Sequence, residues 1–281
     1  MKRHVGQLAR GLAVVLVTLV LWIAPVQAGF VFDLADAVGG GNGTLPGTGG
    51  NGNITAPPAF TASGLPMVDG TFMPNTNAAT PATISTTALT YDFSAETSYG
   101  NQYGAWYNGS NGIDNPSGAA GLPNFTGEPA VHSLLAGHAT KGITFDLDAV
   151  RSTGASFNAF TAYLGDSRPK PGGSISYYLL VDGALKANRN DVTNSEDFVA
   201  IPLAASDRFL TIVFADARIA DINSDHSYAG DPFLRTASVW TGAADSNWST
   251  AGNWADGVAP VSGSSTEVIL TGDTNVGAIN Q

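Results

Sequence analysis

From residue 64 to about residue 235 the chain is a succession of short apolar runs divided by turn residues, which is how strands read. Ile143, Phe145 and Leu147 alternate with Thr144 and Asp146. Ile175, Tyr177, Leu179 and Val181 alternate in the same way and stop at Asp182-Gly183. That dipeptide suits a tight hairpin turn, because glycine takes a positive φ without steric cost. Val199, Ile201 and Leu203 give a third strand. Arg208 to Asp216 is apolar on both faces, at Leu210, Ile212, Val213 and Phe214, and is expected at the centre of its sheet. The single helical expectation here is a short turn at Asp148 to Ser152, ahead of Gly154. Many short strands with almost no helix predict two packed antiparallel sheets, an all-β, jelly-roll-like β-sandwich. Its core is expected to include Phe145, Leu147, Phe160, Tyr177, Leu179, Ile201, Leu210, Ile212 and Phe214.

The flanks read differently. Lys2, Arg3 and Arg10 lead into an uninterrupted apolar run from Gly11 to Ile23, with Pro25, Val26, Gln27 and Ala28 behind it. This is the order of a secretory signal peptide, residues 1–28, with cleavage expected after Ala28. The apolar run is too short to anchor stably across a hydrocarbon core of roughly 30 Å, so no membrane insertion is expected after cleavage. Residues 29–63 are rich in Gly, Pro, Thr and Ala and predict a flexible linker before a domain at 64–235. Residues 236–281 spread Trp240, Trp248 and Trp254 through Gly, Ser, Asn and Asp. They read as a separate unit that stops soon after a strand-like Glu267 to Leu270, as part of a longer protein would.

Composition narrows the function. Charged residues make up only 12% and Cys is absent, so stability must come from an adequate core and not from a disulfide scaffold. Removing residues 1–28 takes away three basic residues and no acidic ones, which moves the formal charge from −11 to −14. Such a surface repels nucleic acid and anionic membranes and tolerates neutral polysaccharide or divalent cations. Motif chemistry is thin. There is no His-Glu-x-x-His and no Gly-x-Ser-x-Gly, and no Gly-Lys-Ser/Thr follows the glycines at Gly39 to Gly43. Asp216, Asp221, Asp225 and Asp231 gather acids in one loop-rich region. A glycosidase needs two carboxylates about 5 to 10 Å apart across a sugar, whereas acids in turns ordinarily cap the backbone or face solvent. The chain is therefore read as a non-enzyme.

The segment His138-Ala139-Thr140-Lys141-Gly142-Ile143-Thr144-Phe145-Asp146-Leu147 is followed by Phe157 to Gly165, by Val181-Asp182-Gly183, and by Asp225-His226 ahead of Asp231. In that order these elements resemble the NPCBM family of carbohydrate-binding modules, over roughly residues 131–235. Leu65 to Pro74 looks like an extension found with such modules in large exported bacterial proteins. The resemblance implies a galactose-binding-like β-sandwich and the binding of a polysaccharide or glycan by a secreted or cell-surface protein. The tail, with Val239-Trp240-Thr241-Gly242, Asn247-Trp248 and Asn253-Trp254, resembles the opening of repeats in autotransporter-type surface proteins, which are often β-helical. Such repeats need neighbours to bury their faces, so this tail alone is expected to be poorly ordered.

Candidate contacts follow. His138 matches the family's motif position, as a ligand contact or as a hydrogen-bonded structural residue. Asp225, His226 and Asp231 could bind a sugar hydroxyl or Ca²⁺, or close the sandwich as a turn. Tyr228 sits in the same polar loop. Trp106 with Tyr107 would make a stacking platform for a pyranose ring if exposed, and core if buried. The fold is expected to bring His138 near Asp225 and His226 at one end of the sandwich. On that reading Asp225→Ala weakens binding and leaves the melting temperature unchanged. The competing readings are a structural or adhesive scaffold domain without a small ligand and, third, a glycoside hydrolase.

Overall fold

The computed structural model describes residues 30–43, 53–74, 81–93, 105–108, 133–166, 173–193, 195–216, 225–261 and 267–270. The signal-peptide expectation for residues 1–28 lies outside them. The first strands are β1 (Phe30–Asp33), β2 (Asn53–Thr55), β3 (Thr61–Ala62), β4 (Val68–Phe72), β5 (Ala82–Thr83), β6 (Thr90–Tyr91) and β7 (Ala105–Asn108). Next come β8 (Leu134–His138), β9 (Lys141–Asp146), β10 (Ala159–Asp166), β11 (Ile175–Val181) and β12 (Ala184–Val192). The chain continues through β13 (Glu196–Pro202), β14 (Phe209–Asp216), β15 (His226–Arg235), β16 (Ser238–Trp240) and β17 (Val268–Leu270). Helix α1 (Leu34–Val38) follows β1, and α2 (Leu147–Ser152) follows β9.

One sheet has the order β13-β10-β15-β8-β7-β2, with β1 added on β15, and the other has the order β12-β11-β14-β9-β4-β3. From β9 onward the chain passes between the sheets at β10, β11, β13, β14 and β15, which gives the jelly-roll-like character expected. Strand β14 sits between β11 and β9, the central place its two apolar faces predict. All nine residues named above for the core are buried in one cluster between the sheets. The hairpin after β11 turns with positive φ at both Asp182 (50°) and Gly183 (78°), the form whose twist matches the flanking strands. The Asp182 carboxylate accepts from the Phe209 amide at 2.8 Å, tying the turn to β14. Helix α2 starts where the Asp146 carboxylate caps the amides of Asp148 and Ala149.

Strands β9, β11 and β14 are buried on both faces, where β9 and β11 read as half-exposed alternation. A second layer explains this. The hairpin β5–β6 and Phe93 lie over the outer face of the β12 sheet, packing Ile84 and Phe93 on Phe72, Tyr178, Leu180 and Val213. Phe93 meets Tyr178 edge-on with ring centroids 5.4 Å apart. The Thr144 hydroxyl, polar in an apolar layer, donates to the Ile84 carbonyl.

Two boundaries move. Residues 30–43, expected in the linker, belong to the sandwich: β1 pairs with β15, and every residue of α1 is buried. Phe32, Leu34 and Val38 supply the apolar surface for this, and the glycines after them let the chain fold back onto Asp36. The Gly43 amide donates to the Asp36 carboxylate at 2.7 Å, and a Cβ on Gly41 would lie 2.2 Å from it. Strands β2 and β3 also join the sheets. The tail, expected to stand apart, docks on the outer face of the β13 sheet. There Val239, Ala237 and Ile269 pack on Ala159 and Ala200, and Arg235 pairs with Glu267 at 3.0 Å. Strands β16 and β17 pair in parallel. Trp240, Trp248 and Trp254 form one aromatic cluster around them.

Candidate functional site

One pole of the sandwich collects the turn between β8 and β9, the ends of β10 and β14, and the starts of β11 and β15. The pairing of β15 with β8 sets His226 directly opposite His138. Their rings meet edge-on with centroids 4.3 Å apart. Asp225 precedes β15 and joins two neighbouring segments. Its carbonyl accepts from the Ala139 amide at 2.9 Å, and its carboxylate accepts from the Ser174 amide at 2.8 Å. The Ser174 hydroxyl in turn donates to the Asp191 carboxylate. The Asp216 amide donates to the Thr140 hydroxyl at 3.3 Å, and Ser227 Oγ to the Gly137 carbonyl at 2.9 Å. The expected juxtaposition of His138, Asp225 and His226 is therefore present.

Burial divides these residues by role. His138 is half-buried, while His226 keeps only 6% of its surface exposed and Asp225 1%. Burial holds the His226 imidazole below its ordinary pKa, which keeps it neutral at neutral pH. A buried Ser174 amide depends on the Asp225 carboxylate, so the burial and this bond argue against the expectation that its removal leaves the melting temperature nearly unchanged. Tyr228 is 1% exposed. Its hydroxyl donates to the Glu196 carboxylate, and its ring crosses Gly165, where a Cβ would meet the Tyr228 oxygen at 2.7 Å.

Two expected contacts lie elsewhere. Asp231 has φ 47° and sits roughly 20 Å along β15 from Asp225, at the usual strand rise per residue. There its carboxylate accepts from the Ser133 amide at 2.9 Å and fixes the start of β8. The three residues named for Ca²⁺ thus do not converge. Among the described residues no group of three or more His, Cys, Asp or Glu is gathered to hold a metal ion. Trp106 is fully buried, its ring 5.6 Å from that of Phe214. The stacking-platform expectation is corrected with it, because β7 turns this side chain into the space between the sheets.

The sequence reading passed over Lys141. Its side chain is fully buried between the sheets, with Nζ 4.6 Å from the Trp106 ring centroid and 5.6 Å from that of Phe214. Neither Lys141 Nζ nor Trp106 Nε1 has a hydrogen-bond partner among the described residues. Burial lowers the Lys141 amine well below its ordinary pKa. Its parity was a usable signal, since Lys141 shares the inward phase of Ile143 and Phe145.

No protein-family model matches the chain and no curated protein does, so the NPCBM resemblance rests on the residues quoted for it. Among solved structures the chain is similar to a CBM51 module of a Clostridium perfringens GH95 protein in complex with methyl-galactose. The identity is 22%, over 38% of this chain and 72% of that one, with a TM-score of 0.34. It is also similar to CBM51-2 with the INT domains of Clostridium perfringens ZmpB, at 18% identity over 38% of this chain and 23% of that one, TM-score 0.33. The tandem CBM51 modules of Sp3GH98, a family 98 glycoside hydrolase of Streptococcus pneumoniae SP3-BS71, match at 14% identity over 38% of this chain and 33% of that one, TM-score 0.32.

Proposed function

We propose that this chain is a non-catalytic carbohydrate-binding module of an exported protein, and that it meets its glycan at the His138 pole. One observation carries the reading. The sandwich buries Asp166, Ser174, Asp216, Asp225 and His226 together at this single pole. Burying such groups costs free energy unless hydrogen bonds hold them, and here Asp225 accepts from the Ala139 and Ser174 amides while the Ser174 hydroxyl donates to Asp191, tying segments of the pole to one another. The outcome is a set of strand ends fixed in position, and sandwiches present recognition on the loops that join strands. His138 is the accessible member, able to donate to or accept from a hydroxyl. Asp225 is committed to the Ser174 amide and is buried, which suits a structural carboxylate better than a catalytic one.

Retention of the full chain on insoluble and gel-embedded polysaccharides, alongside reducing-sugar release from the same materials, tests this reading. The expected outcome is retention on at least one neutral polysaccharide without hydrolysis. Hydrolysis would make the protein an enzyme, and failure to be retained on any of them would favour the scaffold reading.

A further inference from the structure

A second concave surface lies away from that pole, where β13 and the loop after it face the C-terminal unit. It is an open groove of about 800 Å³, within the range of about 300 to 1,000 Å³ typical of small-molecule clefts. Ala200, Pro202 and Val239 line it with alkyl surface, and Lys186, Asp207 and Asp256 with charge.

Both walls are fixed without any ligand. On one side Arg151 donates to the Asp207 carbonyl at 2.6 Å and to the Ala204 carbonyl at 3.0 Å, while the Asp207 carboxylate accepts from the Ala204 amide at 2.8 Å. On the other side the Thr241 amide donates to the Asn253 carbonyl at 2.7 Å, and the Ala255 amide to the Val239 carbonyl at 2.9 Å. Asn158 locks the walls together through paired bonds with the Ala237 backbone, both at 2.9 Å. A groove held this way loses little conformational freedom on binding.

We infer that this groove is a second carbohydrate contact site, taking the neutral chain of an oligosaccharide. The inference rests on the glycan-binding reading but on none of the residues of the His138 pole. Two carboxylates against one amine disfavour an anionic chain. The charges interrupt the alkyl floor and would be left desolvated by an apolar occupant. A sugar chain has C–H faces for Ala200, Pro202 and Val239, and hydroxyl edges for Lys186, Asp207 and Asp256. Phe198 lies two residues before Ala200 on the same face of β13. It is 48% exposed and its ring is 5.1 Å from that of Tyr163, which puts an aromatic surface beside the groove for a ring to stack on. An extended peptide could add to β13 as an edge strand, but Pro202 removes a backbone donor within the groove.

Ala205 lines the groove from an exposed turn, so Ala205→Trp fills it without entering the core. The test titrates the full chain, Ala205→Trp, Phe198→Ala and His138→Ala with neutral oligosaccharides of galactose, glucose, mannose and N-acetylglucosamine, two to six units long. Melting temperatures serve as the fold control. For the longer oligosaccharides, Ala205→Trp and Phe198→Ala should each weaken binding by about fivefold or more at unchanged melting temperature, the loss of about one hydrogen bond or stacking contact. If both bind like the wild type while His138→Ala loses affinity, the groove is overturned and the pole reading stands. If the wild type binds none of the oligosaccharides, both fall. Capture of unglycosylated peptides from a random library, abolished by Ala205→Trp, would overturn the carbohydrate assignment of the groove.

Discussion

Lys141→Met is expected to stabilise the protein, against the usual direction for a substitution inside a packed sandwich. The wild-type amine is fully buried on the Trp106 and Phe214 rings without a hydrogen bond among the described residues. An unsatisfied buried donor costs about 1 to 3 kcal/mol. Methionine follows the same unbranched path and places a sulfur against the two rings, a favourable contact. Relief of the unmade hydrogen bond alone should therefore give the variant about 1 to 3 kcal/mol, at about 2 to 4 °C of melting temperature per kcal/mol for a domain of this size, and at neutral pH the cost of the lowered lysine pKa adds to that gain. Burial lowers the folded pKa of Lys141, while the unfolded lysine titrates near 10.4. Between those two values the unfolded chain holds one proton more than the folded chain, so wild-type stability rises with pH and is lost as pH falls toward the folded value. The slope is about 1.4 kcal/mol per pH unit for one proton. Urea denaturation of both proteins at about pH 7 and about pH 9 should thus show the variant's advantage shrinking as pH rises. A variant less stable than wild type, or a gap that does not change with pH, would refute the account of an unsatisfied amine whose pKa burial has lowered.

Three further outcomes follow from the same bonds. Asp225→Ala should lower stability by about 1 to 3 kcal/mol in thermal melts, because it strands the Ser174 amide inside the pole; an unchanged melt would return Asp225 to a purely ligand-facing role. Asn253→Ala removes the side chain that accepts from the Ala244 and Asp245 amides and donates to Asp245 and the Asn247 carbonyl. It should abolish the near-ultraviolet signal of the Trp240, Trp248 and Trp254 cluster while the β signal of the sandwich persists, and retention of the near-ultraviolet signal would count against Asn253 as its hub. Burial lowers the His226 pKa, so stability is present above the unfolded value of about 6.5 and declines as pH falls below it. His226→Gln should flatten that decline, and an identical acid profile in the two proteins would contradict it.

The main sandwich was legible because its strands carry their own periodicity. Tyr177, Leu179, Ile212 and Phe214 declare an inward face whatever their partners are. The outer layer was not, since β5 and β6 are two residues each and Phe93 acquires its role only when Tyr178 lies beneath it. Residues 30–43 were read by their glycines, yet Phe32, Leu34 and Val38 decide their place. Composition counts a glycine as flexible even where the fold needs it for a close approach, as Gly41 does against Asp36. At the pole, the residue types were legible and their accessibility was not. His138 and His226 meet through strand register, and Asp225 and Tyr228 are buried by segments far away in the chain. Trp106 shows the same limit, because an isolated four-residue strand gives too little pattern to tell which face it turns inward.

A glycan held at the His138 pole should lose affinity when the His138 imidazole is removed. The most direct measurement is a glycan array probed with the full chain and with His138→Ala, with and without calcium, followed by calorimetric titration of whichever glycan is retained. Saturable wild-type binding without any calcium requirement is the expected result. The variant should bind about two- to tenfold more weakly, the range for one lost hydrogen bond, at an unchanged melting temperature. Wild-type protein that retains no glycan, or binding to a retained glycan that ignores His138, would contradict it.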